Sequence, residues 1–297
     1  MTSVAVVAHR RKHLDGGLPE LRRLLAERGF ESPLWYEMKS SRNAAKLSRR
    51  AIKEGADLVF AWGGDGTVQR CVGAVAGTGV DLAIVPAGTA NLLASNLGIP
   101  KDLDAAVVTG LYGTRRVLDV GRVNGERFAV MAGAGFDARM MADTNRKLKR
   151  RVGLLAYVWT GARATRWPAQ RARVDVDGER WFDGKASCVL VANVGTITGG
   201  ITAFDGARPD DGRLDLGVVT ADGRLRWARV LGRMVLGRAD RSPLVEATTG
   251  CRIDVRFDSK IVYELDGGDR APTTKLKVRV EPAALRVCVP IDETAAT

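Results

Sequence analysis

Apolar and polar positions follow two different rhythms along the chain. Up to about residue 125, short apolar runs of strand length alternate with stretches whose apolar residues recur every three or four positions. Residues 3–8 (SVAVVA), 57–62 (DLVFAW) and 81–86 (DLAIVP) are nearly unbroken apolar runs and predict buried strands. Residues 19–29, 43–55, 67–77 and 89–98 predict helices, three of them closed by Gly29, Gly55 and Gly98. This alternation predicts an α/β domain over residues 1–125, a mainly parallel sheet covered by helices.

Beyond about Gly125 the rhythm changes. Residues 127–136, 171–178, 187–194, 214–220, 251–257, 260–267 and 274–282 are strand-like, with turn residues between them. Helical patterning is confined chiefly to 138–167 and 223–237. The expectation is a β-rich second domain over 126–284, antiparallel and sandwich-like. A last apolar strand within 285–297 is expected to return to the first domain.

Composition narrows the class. In 297 residues, 45% hydrophobic content suits a soluble chain with a full core. No apolar run approaches the ~20 residues of a membrane-spanning helix. The start turns basic after a few apolar residues, the wrong order for a secretory signal. Cys71, Cys188, Cys251 and Cys288 are scattered, which argues against a disulfide framework or zinc site and fits a cytoplasmic protein. The two histidines, His9 and His13, lie together near the N-terminus, so histidine chemistry elsewhere is excluded. A formal net charge of +12 and a pI of about 10.0 predict an anionic partner. An arginine-rich composition from a GC-rich genome would account for part of that excess. Nucleic acid is not the expected partner, because no recognition motif accompanies the charge.

Candidate chemistry gathers at two turns. In WGGDGTVQ, Gly63, Gly64 and Gly66 follow an apolar strand and leave no Cβ in the way of phosphates. Thr67 is placed to cap the next helix, whose amides favour anions. Asp65 lacks a cation nearby in sequence, so Mg²⁺ is its natural partner. A plain Asp-Gly turn is the alternative. In PAGTANLLASNLGIP a second small-residue turn again leads from strand to helix, with Thr89 and Asn91 at the helix start.

Taken together these motifs resemble the diacylglycerol kinase catalytic-domain family, relatives of sphingosine and ceramide kinases. The resemblance extends along nearly the whole chain: GGDGT at 63–67, PxGTxN at 86–91, AGxGFDA at 132–138, GLLAY at 153–157, ANVGTITGG from 192, PDDGRLDLGVV at 209–219 and LDGGD at 265–269. GGDGT alone is shared with NAD kinases and phosphofructokinases and implies only their common fold. The ordered set implies an ATP- and Mg²⁺-dependent lipid kinase. By that resemblance Gly63, Gly64, Asp65, Gly66, Thr67, Val68 and Gln69 line the ATP phosphates, with Asp65 near Mg²⁺. Thr89, Asn91 and Ser40 are the further nucleotide-side candidates. Asp266 matches the catalytic base. Asp211, with the carbonyls of Arg208 and Arg213, matches a structural metal site.

The chain also departs from the family pattern. Ala8-His9 replaces the Asn-Pro after the first strand, Leu92 replaces an Asp, and Gly268 replaces the Glu of Asp-Gly-Glu, with Asp269 one place later. A kinase of a soluble alcohol or NAD, and a catalytically weakened relic, are the competing readings. Basic stretches at 146–167 and 224–238 suggest peripheral docking on an anionic membrane that presents a lipid such as diacylglycerol. A homodimer is compatible with the sequence.

Overall fold

The computed structural model describes residues 2–135, 169–197, 201–235 and 242–291. These form two compact units. One runs to Val120 and resumes at Ala283; the other is Gly121–Pro282.

The first unit is built on β1 (Val4–His9), α1 (Gly17–Glu27), β2 (Leu34–Met38), α2 (Ala44–Lys53), β3 (Leu58–Gly63), α3 (Asp65–Val75), β4 (Asp81–Pro86), α4 (Leu92–Asn96), α5 (Leu103–Tyr112) and the start of β5 (Thr114–Val123). Its sheet is parallel, in the order β4–β3–β1–β2. Every residue of β3 is buried, as an apolar run between helix layers requires. Leu21, Leu24 and Leu25 of α1 and Leu103 and Val107 of α5 meet β1, β3 and β4 in one core. Helices α1, α2 and α4 end as the glycines predict. Gly29, Gly55 and Gly98 adopt positive φ, and the amides of Phe30, Ala56 and Ile99 reach back to Leu25, Ala51 and Ala94.

Three details differ from the sequence expectation. Helix α3 begins at Asp65 with Gly64 as its N-cap, so Thr67 is an internal helix residue rather than the cap. Helix α4 is shorter than the expected 89–98, because Asn91 sits in the left-handed region (φ 50°) and delays its start. β2, α5 and β5 are elements that the periodicity did not single out.

The second unit contains the end of β5, β6 (Glu126–Phe128), β7 (Met131–Ala134), β8 (Gln170–Val176), β9 (Glu179–Ala186), β10 (Cys188–Ala192), β11 (Thr196–Ile197), β12 (Ile201–Thr202), β13 (Leu214–Val219), α6 (Arg224–Val235), β14 (Val245–Gly250), β15 (Arg252–Leu265) and most of β16 (Gly268–Val289). Its pairings are antiparallel. β7, β10, β13 and β14 lie side by side, β15 pairs with β7, β8 and β16, and β9 covers the edge of β8. Val174, Phe182, Val189, Leu216, Val255 and Leu276 share one core. Fold class therefore agrees with the expectation: a parallel α/β unit and a β-rich antiparallel one. The end of β16 pairs in parallel with β4, Arg286 beside Asp81 and Val287 beside Leu82. The helix expected at 138–167 lies outside the described residues.

Candidate active site

The two glycine turns of the first unit meet. A methyl built on Gly88 would lie 2.3 Å from the Cα of Gly64, so only glycine allows the backbones this close. Asp65 fastens them. Its carboxylate accepts the Asn91 amide at 3.0 Å and the Leu92 amide at 2.5 Å, capping the start of α4 from the first turn of α3. Asn91 closes its own turn. Its Oδ1 accepts the Gly88 amide and its Nδ2 donates to the carbonyls of Pro86 and Gly88. Asn91 is thus a buried internal brace of the second turn.

The other candidates divide by exposure. Thr67, Val68 and Gln69 are buried in α3, and Thr67 packs where a Gly63 side chain would go. Gly66 and Thr89 are exposed, and Gly64, Asp65 and Gly88 partly so. The surface open to a ligand is therefore mostly backbone: the amides at the start of α3, framed by Gly88 and the Thr89 hydroxyl. Ser40 is exposed and caps the short 3₁₀ turn at Ser41–Asn43, its hydroxyl accepting the Arg42 amide. Its neighbour Ser41 is the serine whose hydroxyl lies beside Gly66, 3.6 Å from an ideal Cβ there.

Of the basic run Arg10, Arg11 and Lys12, whose reach to the phosphates the sequence leaves open, Lys12 is the one whose charge bears on this site. The turn after β1 closes with the Lys12 amide on the His9 carbonyl, and the buried Trp62 donates its indole N–H to the Lys12 carbonyl at 3.2 Å. The positive charge of Lys12 then acts on Asp65. Burial pushes the Asp65 carboxyl above its ordinary value, against the pull of the Leu92 and Asn91 amides and of Lys12. Partial burial holds the His9 imidazole below its ordinary value, and the Lys12 and Arg11 charges add to that shift. The basic run at 10–12 was the available signal, but sequence separation hides its closeness to Asp65. The Asp65 carboxylate accepts three backbone amides, its own among them, and a divalent cation at its remaining acceptor position would offset the cost of burying the charge. The residues present therefore fit Mg²⁺.

In the second unit, Asp266 and Gly267 are the two central residues of the β15–β16 hairpin turn. Leu265 pairs with Gly268, and φ is 46° and 77°, a type I′ turn. The Asp266 carboxylate is buried and accepts three backbone amides, from Ala129, Val130 and Met131, each at 2.9 Å. Asn193 holds the same segment, donating to the Ala129 carbonyl. Asp269 stands exposed, directly across the hairpin from buried Glu264. Where a family glutamate would stand, a methyl built on Gly268 lies 3.0 Å from the Arg270 guanidinium. That group donates to the Gly268 carbonyl and pairs with Glu126.

Asp211 is exposed in a turn, and its carboxylate accepts the Arg213 amide at 2.9 Å. The Arg213 side chain turns away to the Thr249 hydroxyl and carbonyl, while Arg208 is exposed at the approach to the turn. Burial and then the Asp211 charge raise Asp215 to about 6, with Arg213 opposing. Asp211 and Asp215 thus repel each other across this turn, a repulsion that a hard cation would relieve. No group of three or more His, Cys, Asp or Glu side chains suited to a metal occurs among the described residues.

Comparison with known proteins agrees with this geometry. Residues 10–123 match the diacylglycerol kinase catalytic domain, and residues 130–289 match the YegS C-terminal NAD kinase beta sandwich-like domain. A Pseudomonas aeruginosa protein named "Probable lipid kinase YegS-like" is 33% identical over 84% of this chain and 82% of its own length. A Bacillus subtilis protein named "Diacylglycerol kinase" is 31% identical over 76% of this chain and 75% of its own. The chain spans 57% of the length of a Synechocystis relative to which it is 28% identical. Among solved structures, a Bacillus anthracis diacylglycerol kinase superimposes with a TM-score of 0.74 at 19% identity, covering 97% of this chain and 96% of that one. An Archaeoglobus fulgidus NAD kinase solved with ATP gives 0.54 at 10% identity over 97% and 93% of the two chains, a likeness of fold. With both halves matched in order, and the GGDGT and PxGTxN turns locked together by Asp65, this chain belongs to the diacylglycerol kinase catalytic-domain family, among its YegS-type lipid kinases.

Proposed function

We propose that the protein transfers the γ-phosphoryl group of ATP to the hydroxyl of a membrane lipid, with a diacylglycerol-type alcohol as acceptor, from the cytoplasmic side. The observation that carries this reading is the Asp65 junction, which holds two glycine turns and a helix N-terminus in one arrangement. Backbone amides at Gly64–Gly66 and the start of α3 receive the nucleotide phosphates, and the Thr89 hydroxyl contributes from the second turn. Lys12 supplies a positive charge beside them. Mg²⁺, held by Asp65, would neutralise charge on the transferred phosphoryl group. A second cation at Asp211 and the carbonyls of Arg208 and Arg213 would brace the β13 turn.

Asp266 remains the candidate base. Three backbone amides hold its carboxylate in place at the hairpin tip. Asp269, exposed in the strand after the turn, is the acid that would assist it. A second reading, a weakened enzyme that binds ATP without turning it over, draws support from the Arg270 guanidinium over Gly268.

No helix among the described residues is long and apolar enough to cross a membrane, so docking at the surface is part of the proposal. Helix α6 offers exposed Leu225, Arg226, Arg229 and Arg233, with Trp227 and Val230 buried behind them. The basic stretch at 146–151 lies outside the described residues.

The test uses the full chain with γ-labelled ATP, Mg²⁺ and a total lipid extract, with products identified by mass spectrometry. Label in a lipid phosphate is the expected result. Asp65→Asn, compared at matched thermal stability, should lower turnover at least about tenfold, since two charge-assisted hydrogen bonds are weakened. Label in NAD or a soluble alcohol would replace the lipid reading. ATP binding without any transfer would favour the weakened enzyme.

A further inference from the structure

The outer face of the β9–β8–β15–β16 sheet in the second unit carries same-sign charges directly opposite one another. Its inward positions, such as Val174, Val255 and Leu276, belong to the core, so their neighbours in each strand face solvent. On that face Arg173 lies opposite Arg256, and Arg256 opposite Lys275, a row of three cations across three adjacent strands. The flanking pairs are also alike, Arg171 opposite Lys185 and Arg252 opposite Arg279. Like charges directly opposite destabilise a sheet, so the arrangement has a cost in the isolated protein.

Carboxylates relieve the flanks and the β8 end of the central row, where Asp183 of β9 stands directly opposite Arg173, and Asp175 stands opposite Asp254 one row away. Asp183 takes two hydrogen bonds from Arg171, and Asp254 pairs with both Arg252 and Arg279. Arg173 reaches Asp183 and Asp258 only at 3.6 and 3.8 Å. The side chains of Arg256 and Lys275 are exposed and make no ion pair among the described residues.

We propose that this sheet face is a docking surface for the anionic head groups of a lipid bilayer, centred on Arg173, Arg256 and Lys275. The occupant follows from charge complementarity and shape. The acids on this face, Asp175, Asp183 and Asp254, are taken up by neighbouring arginines, so the exposed Arg256 and Lys275 would meet a plane of phosphates as point charges. Its outward positions on β8, β15 and β16 hold no aromatic residue on which single-stranded bases could stack. The face is also distinct from α6. The inference rests on the lipid-kinase reading, in which the protein must reach a membrane-held acceptor.

Sedimentation of the full chain with phosphatidylcholine vesicles, with and without phosphatidylglycerol, tests it. The wild type should partition onto the phosphatidylglycerol-containing vesicles only. Arg256→Gln with Lys275→Gln should reduce that partition about tenfold or more, while phosphorylation of acceptor dispersed in neutral detergent is unchanged. The same double variant should unfold at an equal or higher temperature, because a row of like charges has been removed. Arg226→Gln with Arg229→Gln on α6 serves as the comparison and should reduce partition less. Undiminished vesicle binding by the sheet variant overturns the proposal. So does a variant that loses binding to a DNA duplex while keeping the vesicles, since the face would then serve nucleic acid. If the wild type phosphorylates nothing in detergent yet the sheet variant alone loses vesicle binding, the kinase reading fails and the docking face stands.

Discussion

Asp266→Asn separates a structural role from a chemical one. The carboxylate holds the Ala129–Met131 segment through three amides at 2.9 Å, and each bond to a charged group contributes about 1.5–3 kcal/mol. Asparagine tolerates the positive φ at this position, so the backbone adds little to the cost. Its single acceptor oxygen can keep the Val130 and Met131 amides. The side-chain NH₂ then faces the Ala129 amide, donor against donor. One strong bond is lost and one buried amide is left unsatisfied, a cost of about 2–4 kcal/mol. At about 2–4 °C per kcal/mol for a unit of this size, the melting temperature should fall by about 5–15 °C. Thermal unfolding followed by circular dichroism reads this directly. Calorimetric ATP titration should show nearly unchanged affinity, because the nucleotide-side residues belong to the first unit. An unchanged melting temperature would refute the reasoning, for it would mean that the three bonds contribute nothing net. Turnover measured well below both melting temperatures then reports on chemistry alone. If Asp266 is also the base, it should drop about 10²-fold or more even in fully folded protein.

Two further predictions concern the first glycine junction and the thiols. Gly88→Ala forces a methyl against the Gly64 backbone and should cost about 1–3 kcal/mol, with ATP affinity falling at least about tenfold; calorimetry at a temperature where the variant is folded checks both. Burial pushes the thiols of Cys71 and Cys288 up to about 11 and that of Cys188 up to about 12, whereas Cys251 is exposed. A chromogenic disulfide reagent at pH 8 should therefore titrate Cys251 rapidly and the other three only on unfolding, and Cys251→Ser should abolish the fast phase.

Local pattern carried much of the architecture. β1, β3 and β4 were legible because a strand buried on both faces is an apolar run. Gly29, Gly55 and Gly98 marked helix ends because the left-handed residue after a helix favours glycine. The Asp266-Gly267 turn was legible as a turn for the same local reason. β2 was missed because its partly buried LWYEM lacks a continuous apolar run at the sheet edge. α5 was missed because, with Ala, Val, Leu and Gly spread around it, it shows little amphipathic contrast.

The chain by itself determined which residue types stand at the ends of which strands, since strand periodicity, turn glycines and the order of motifs depend on neighbours in sequence. Only the tertiary structure decided what those residues touch. It set Asp65 against amides at Asn91 and Leu92, carried Lys12 to Asp65 through the Trp62 contact, and buried Thr67 and Gln69 that were expected to line phosphates. It also tied Asp266 to a segment more than a hundred residues earlier and brought Arg173, Arg256 and Lys275 into one row. The physical reason is that strand register and the meeting of loops are long-range choices. They are set by how the whole core packs, so no window of sequence contains them.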